Sequence, residues 1–496
     1  MISAPNRLRL SNGNKSSRSK LLLLLLAVAF LSSCELFRKA QDHEDKIDPD
    51  KQIDEIQGPI TIDPETGEYI AVTLLTEKMD TLKWKLVSMD RFPPITSDGV
   101  VPTVEPPLND PQNPNYDPNA VGKISMLLPF FADRTTSLST SVPENSRWAL
   151  QYYAGVELAL DELDKEGAKL DVSVFDTRGD ESTLNQLLRY ERRIQNADLI
   201  IGPYRSSNVQ ITADYAKQNQ KTLISPYSAN TNITSDNPYY VQVNPSLEAH
   251  CRAITEHVKE RYTADQVVLV ARNRPDELAR FAYFQDANRE LSSPLDTARF
   301  REFVVKDESV DYQLLDVAPY LLADRTTVFI VPSYRDESFI YSFLRKLKVA
   351  TNEFSDVVVY GLPAWMDYGE IVNFDLFEDL HVHVSSFFYV DDYEPEIRDF
   401  RQRFYSEYGA LPEEAAYIGY GVTRYFGRML ATYGPNFLNR LDTEEGKTLY
   451  TNYRFRKVTK PDPTGRIPED FRRFDRYEND FVHILKFQDY YFQPAD

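Results

Sequence analysis

The chain has 496 residues, a formal net charge of −20, 12% aromatic residues and two cysteines. Its length exceeds a single ordinary core and calls for two or three globular units. The negative balance excludes nucleic-acid binding through phosphate contacts, and two cysteines cannot supply a disulfide framework.

The first segment reads as an address. Residues 1–20 carry Arg7, Arg9, Lys15, Arg18 and Lys20 and no acid, and Leu21 to Leu31 is an almost wholly apolar run that is too short to span a membrane. The run ends Leu31-Ser32-Ser33-Cys34, which resembles a bacterial lipobox; the alternatives are a plain signal peptide or a short anchor. The resemblance implies removal of residues 1–33 as a lipoprotein signal peptide and fatty acylation at Cys34, palmitate among the chains. Buried methylenes contribute about 0.8 kcal/mol each, so two chains anchor a protein stably. The expected address is the cell envelope, with the body in the periplasm and the outer membrane as the anchoring surface.

Residues 34–120 read as a tether. From 35 to 120 there are eleven prolines and 18 acids against 8 bases, a composition with too little apolar surface to offset ordering. Tyr69 to Leu75 and Thr81 to Val87 depart from it. Both are strand-like, and they are expected to form a hairpin over 69–87 or a strand that adds to a partner's sheet edge.

From Val121 the pattern becomes globular. Lys123 to Phe130 is a strand, and the polar stretch Thr135 to Ser146 is a loop. A helix follows with Tyr153, Val156, Leu160 and Leu163 on one stripe. Leu170 to Asp176 is a strand, Glu181 to Asn196 a helix, and Ala197 to Ile201 a buried strand ended by Gly202-Pro203. Ser206 and Ser207 then start a helix, either as ordinary hydroxyl caps or as the rim of an anion site. One strand later, Lys221 to Pro226 leads into Tyr227 to Thr234, rich in hydroxyls and amides. Two such loops after successive strands belong side by side at the carboxyl edge of a parallel sheet, where α/β proteins bind ligands. A second βα series runs from the helix carrying Leu247, Cys251, Ile254 and Val258 through strands at 266–271, 301–305, 327–331 and 357–361. Helices at 394–408 and 413–432 come next, and a strand at 481–487 ends the pattern. The fold class is α/β, with two doubly wound parallel-sheet lobes and a cleft between them.

This order resembles the type I periplasmic binding proteins, in particular the branch of leucine/isoleucine/valine-binding proteins of ABC importers. The resemblance rests on Ile124 to Pro129, the helix Tyr152 to Leu163, Ile201-Gly202-Pro203 with Ser206-Ser207, and Ile224-Ser225-Pro226 with the loop 228–234. It extends through Tyr240 to Ser246 and Arg398 to Tyr420 to an ending near 465–487 that looks like the closing hairpin of the second lobe. It implies a first lobe of 121–244 plus 376–435 and a second of 245–375 plus 436–496. It further implies that Ser206, Ser207, Ser228, Ala229 and Thr231 hold a ligand carboxylate, with Asn273, Tyr334, Trp365 and Asp367 as candidates from the other lobe. Arg205 and the insertion after Phe131 depart from a simple amino-acid site.

No catalytic constellation emerges. The chain contains neither Gly-x-Ser-x-Gly nor His-Glu-x-x-His. Gly446-Lys447-Thr448 has Leu441 where a phosphate loop needs its first glycine, Cys251 lies on an apolar helix stripe, and His381 and His383 have no further ligands nearby in sequence. The expectation is a non-enzyme without cofactor or metal. It captures a small polar, amino-acid-like ligand for ABC-type uptake or sensing, with an ABC permease as a partner. The alternative is an envelope scaffold lipoprotein of the same fold that regulates a peptidoglycan synthase or other envelope machinery.

Overall fold

The structure is a computed structural model. It describes residues 120–134, 144–293, 295–306, 312, 315–334, 336–351, 356–368, 374–460 and 474–495, together with the backbone of 60–62 and 69–71. The chain divides into two compact units, one within Pro5–Val104 and one that contains Glu105–Asp496. In the first unit, β1 (Ile60–Ile62) pairs antiparallel with β2 (Tyr69–Ala71), Ile60 opposite Ala71. The strand expected to begin at Tyr69 is therefore present, but it pairs with a segment upstream of it. Thr81–Val87 lies outside the described residues.

The second unit opens with β3 (Gly122–Leu128), α1 (Glu144–Lys165), β4 (Leu170–Asp176), α2 (Glu181–Tyr190), α3 (Arg192–Gln195) and β5 (Leu199–Ile201). α4 (Ser206–Asn219), β6 (Thr222–Ser225) and β7 (Tyr240–Gln242) follow. Leu199, Ile200 and Ile201 are all fully buried, as a strand covered on both faces must be. The single helix expected over 181–196 is two. Glu191 leaves the helical region (φ −85°, ψ 109°), and its carboxylate caps the second piece through the Arg193 N–H at 3.3 Å.

The chain then builds α5 (Leu247–Lys259), β8 (Val267–Arg272), α6 (Pro275–Glu290), β9 (Arg301–Val305), β10 (Thr327–Ile330), α7 (Glu337–Ala350), β11 (Val357–Gly361), α8 (Phe374–Asp379) and β12 (Val382–Ser386). It returns through α9 (Pro395–Tyr408), α10 (Glu414–Tyr433), β13 (Gly446–Lys447), β14 (Asn452–Tyr453), β15 (Phe455–Thr459) and β16 (Phe474–Asn479). It ends in β17 (His483–Gln488) and β18 (Tyr491–Pro494).

Two seven-stranded sheets result, in the orders β15-β16-β7-β6-β5-β3-β4 and β18-β17-β12-β11-β10-β8-β9. Within each, the pairs are parallel except at the end carrying β15–β16 or β12–β17–β18. Helices cover both faces, which gives the two doubly wound lobes. Sheet membership differs from the expected division of the chain. β12 lies in the second sheet although 376–435 was assigned to the first lobe, and β15 and β16 lie in the first although 436–496 was assigned to the second. The hairpin that closes the second lobe is β17–β18. The physical reason is that β16 extends the first sheet by pairing parallel with β7 (Glu478 opposite Gln242). A short buried strand reads the same whichever sheet receives it.

In the first lobe α10 lies directly on α1. A Cβ on Gly155 would collide with the Ala416 carbonyl oxygen, and one on Gly419 with the Tyr152 carbonyl oxygen, so the two backbones touch where both lack side chains. Phe400 and Phe404 of α9 are fully buried in the same core. In the second lobe the Cys251 thiol is fully buried, and burial pushes its pKa up. The chain passes between lobes after β7, after β12 and between β16 and β17.

Candidate functional site

β5 delivers the chain to Gly202, whose φ of 91° and position under Leu127 leave no room for a Cβ. Arg205, rather than a serine, is the residue preceding α4 (φ −76°, ψ 136°), and no side chain caps the helix. Arg205 is held there by its guanidinium, which donates to the Gly179 carbonyl at 3.1 Å. Ser206 and Ser207 thus fall on the first two helical positions and are exposed. The expected hydroxyl cap does not form, and the first turn keeps its outward N–H groups, which favour an anion.

β6 ends at Ser225, and Tyr227 to Thr231 follow at the same edge of the sheet. Ser228 is buried, and its Oγ accepts from the Asn230 N–H at 3.4 Å, so its own proton is available to a ligand. Ala229 is exposed and Thr231 half-buried. The two loops are joined by their tyrosines: the Tyr204 and Tyr227 rings lie 4.8 Å apart. Trp148, in the first turns of α1, packs against both at 4.3 and 5.5 Å. Its buried indole N–H has no hydrogen-bond partner among the described residues.

The start of α10 is fastened to the same place. The Arg147 guanidinium holds Glu413 (Nε–Oε1 2.7 Å), and the Gln151 side chain accepts the Glu413 N–H at 3.1 Å. Glu414 follows as the first residue of α10. The surrounding protein, and then the Asp367 carboxylate of the other lobe, raise the Glu414 pKa above the usual carboxylate range. Tyr227 is pushed up by burial first and then by the Glu414 charge.

On the far side, Asn273 is exposed just past β8, and its N–H donates to Val305 O at 2.9 Å. Tyr334 is 39% exposed. Its carbonyl accepts from the Tyr368 hydroxyl at 2.9 Å. Trp365 does not line the gap. It is fully buried, its indole N–H donates to Ser333 O at 3.1 Å, and its ring lies 6.1 Å from Phe377. It ties the turn that carries Asp367 to the loop that carries Tyr334. The buried Arg272 guanidinium binds Glu277 (Nε–Oε1 2.9 Å) and Asp336, and Asp336 caps α7 through the Phe339 N–H at 2.9 Å.

The first-lobe candidates therefore share one edge, with Tyr334, Asn273 and Asp367 past the strand ends of the second sheet. Trp148, Tyr204, Tyr227 and Glu414 had no place in the sequence-based set. A signal for two of them was present: Gly202-Pro203-Tyr204 and Ser225-Pro226-Tyr227 repeat a Pro-Tyr step after successive strands. A separate cavity of about 280 Å³ opens on the first lobe between α10 and residues 444–449. Among the described residues no cluster of three metal-ligating side chains occurs, and no helix is long and apolar enough to cross a membrane.

The sequence matches the family described as periplasmic binding protein over residues 143–467. This chain belongs to that family. No curated protein matches it. Among solved structures, a putative branched-chain amino acid ABC transporter protein from Rhodospirillum rubrum aligns at 15% identity and a TM-score of 0.53, covering 76% of this chain and all of the other. The branched-chain amino acid substrate-binding protein LivJ of Streptococcus pneumoniae, in complex with isoleucine, aligns at 14% identity and a TM-score of 0.42, over 75% and 98% of the two chains. Full-length LpoA from Haemophilus influenzae aligns at 14% identity and a TM-score of 0.47, over 77% of this chain and 60% of LpoA. The two sheets of this periplasmic binding protein are the two lobes of the type I fold, and the residues described above follow strands of both sheets.

Proposed function

We propose that this periplasmic binding protein captures a small polar, amino-acid-like ligand between its lobes and closes over it, by hinge motion rather than catalysis, for ABC-type uptake or sensing. The observation that supports this reading is the Tyr204–Tyr227 ring contact (4.8 Å) between the loop that opens α4 and the loop that carries Ser228. A ligand carboxylate would take the Ser206 hydroxyl, the N–H groups of Ser206 and Ser207 and the Ser228 proton. Asn273 and Tyr334 would close on it from the second lobe. Isothermal titration of the full chain against an amino-acid and peptide panel tests this. Saturable binding is expected, weakened about 10- to 100-fold in the Ser206→Ala/Ser228→Ala double variant, the loss for two hydrogen bonds to a charged group. Absence of any binding would sink it.

The second reading, an envelope scaffold lipoprotein, is favoured by the Pro- and acid-rich stretch 35–120, a reach that an importer's binding component does not need. A co-purifying envelope synthase without saturable small-ligand binding would establish it over the first. Both readings hold the protein at the periplasmic face of a membrane, the outer one by preference, through acylated Cys34. Metabolic labelling with a palmitate analogue should mark the parent chain and leave Cys34→Ser unlabelled and soluble; label retained by that variant rejects the anchor.

A further inference from the structure

We infer that the ligand is an acidic amino acid, with a second anionic group beyond its α-carboxylate, and that Arg205 takes that group; this rests on the capture reading above. Arg205 directly precedes Ser206, and its side chain is exposed but held in one place. The guanidinium donates to the Gly179 carbonyl at 3.1 Å. A Cβ on Gly179 would lie 3.3 Å from the guanidinium carbon and 3.0 Å from the tip of the buried Phe131 ring, so the group rests on bare backbone beside that ring. A carbonyl is neutral, and among the described residues Arg205 makes no ion pair, so its full charge stays available. Two further guanidinium groups belong to the same edge. Arg134 covers the Phe131 ring at 4.7 Å, and Arg178 is the chain neighbour of Gly179. Phe131, Gly179 and Arg205 follow β3, β4 and β5, which are adjacent strands of the first sheet.

The acids of these loops do not use that charge. Asp176 accepts the N–H groups of Phe130, Phe131, Ala132 and Arg178 at 2.8 to 3.2 Å. Asp180 caps α2 through the Thr183 N–H at 2.7 Å. Asp133 meets Arg178 at 3.7 Å with both side chains exposed, a contact worth little in water. The formal charge of −20 repels an anion at range, but salt screens exposed charges beyond about 8 Å at physiological ionic strength, so the fixed guanidinium decides at contact. On the capture reading, closure takes water from the loop before α4. A guanidinium left without a counter-charge there loses hydration with nothing in return. A side-chain carboxylate or phosphate supplies the counter-charge and takes the paired N–H bonds that a planar guanidinium offers. A neutral amino acid engages only the Ser206, Ser207 and Ser228 groups and leaves Arg205 uncompensated.

Titration of the full chain with L-glutamate, L-aspartate and O-phospho-L-serine, each against its neutral counterpart L-glutamine, L-asparagine or L-serine, and with L-leucine, tests the inference. At least one acid is expected to bind about tenfold tighter, or more, than its counterpart and than leucine. Arg205→Gln should weaken that acid about tenfold and Arg205→Lys, which keeps the charge but not the planar fork, by less, with unchanged circular dichroism as the check on folding. A neutral probe binding as tightly as every acid, or both variants keeping parental affinity for the acid, overturns the inference and leaves capture standing. No binding by any probe overturns both.

Discussion

His250 is a histidine that the fold keeps from behaving as it does in water. It lies in the first turn of α5, 6% exposed, with no hydrogen-bond partner for Nδ1 among the described residues. Burial alone lowers its pKa from 6.5 to about 4. The folded protein therefore holds this ring neutral in a range where the unfolded chain would protonate it. The unfolded state binds more protons between pH 6.5 and 4, so the stability from the neutral ring is fully present above 6.5 and is lost as pH falls towards 4. The full loss is about 3 kcal/mol. His383 acts in the same direction, burial first, also to about 4. Glu248 and Glu414, raised by burial, act in the opposite direction and relieve strain on protonation. The melting temperature should fall between pH 6.5 and 4.5, and the fall should be shallower in His250→Leu. Equal slopes in parent and variant would assign the acid loss elsewhere.

At the scale of elements, what could be read in advance followed the uniformity of the signal. β5 is apolar on every position and β8 on all but its last, Arg272; both are bounded by breakers and appear where expected. α10 was legible as a helix because its apolar face repeats at helical spacing. Its pairing with α1 was not, because it depends on Gly155 and Gly419 meeting across a distance of more than 250 residues. The break at Glu191 was hidden because a glutamate that caps the next turn is also a good helix former. The sheet that receives β12 and β16 was not legible, since neither period nor composition carries partner identity. Ser206 and Ser207 start α4 as read from the sequence, but they do not cap it, because Arg205 precedes the helix and its guanidinium reaches the Gly179 carbonyl. Trp365 failed as a lining residue for a similar reason. Its position after β11 suggested the cleft, but an indole at a strand end can turn into the core, and here Ser333 and Phe377 receive it.

For the whole molecule the question is what keeps two lobes in one mechanical frame. The three crossings are tied to one another. The Tyr450 carbonyl accepts from the Tyr389 N–H and from the His483 ring, each at 3.0 Å, which joins the second crossing to the third. Glu478, fully buried at the end of β16, accepts the Ser246 N–H at 3.0 Å and the Arg476 guanidinium at 2.7 Å, which joins the third to the first. Ser246 in turn caps α5, the first helix of the second lobe, through the Ala249 N–H at 3.3 Å. A buried polar row, Ser225, Gln242 and Glu478 on adjacent strands, runs from beneath the Tyr227 loop to this tie. Glu478→Gln keeps the shape but removes the charge that, with Asp475, compensates Arg476. Orphaning a buried charge costs about 3–5 kcal/mol, and the loss here is smaller because Asp475 still pairs with Arg476 at 2.9 Å. The loss should appear as a lower urea midpoint. It should also split the transition, since α5 loses its fastening to the first lobe and the second lobe then unfolds separately. A single unshifted transition would mean that Glu478 contributes nothing to the tie and that the Tyr450 carbonyl and the chain itself hold the lobes together.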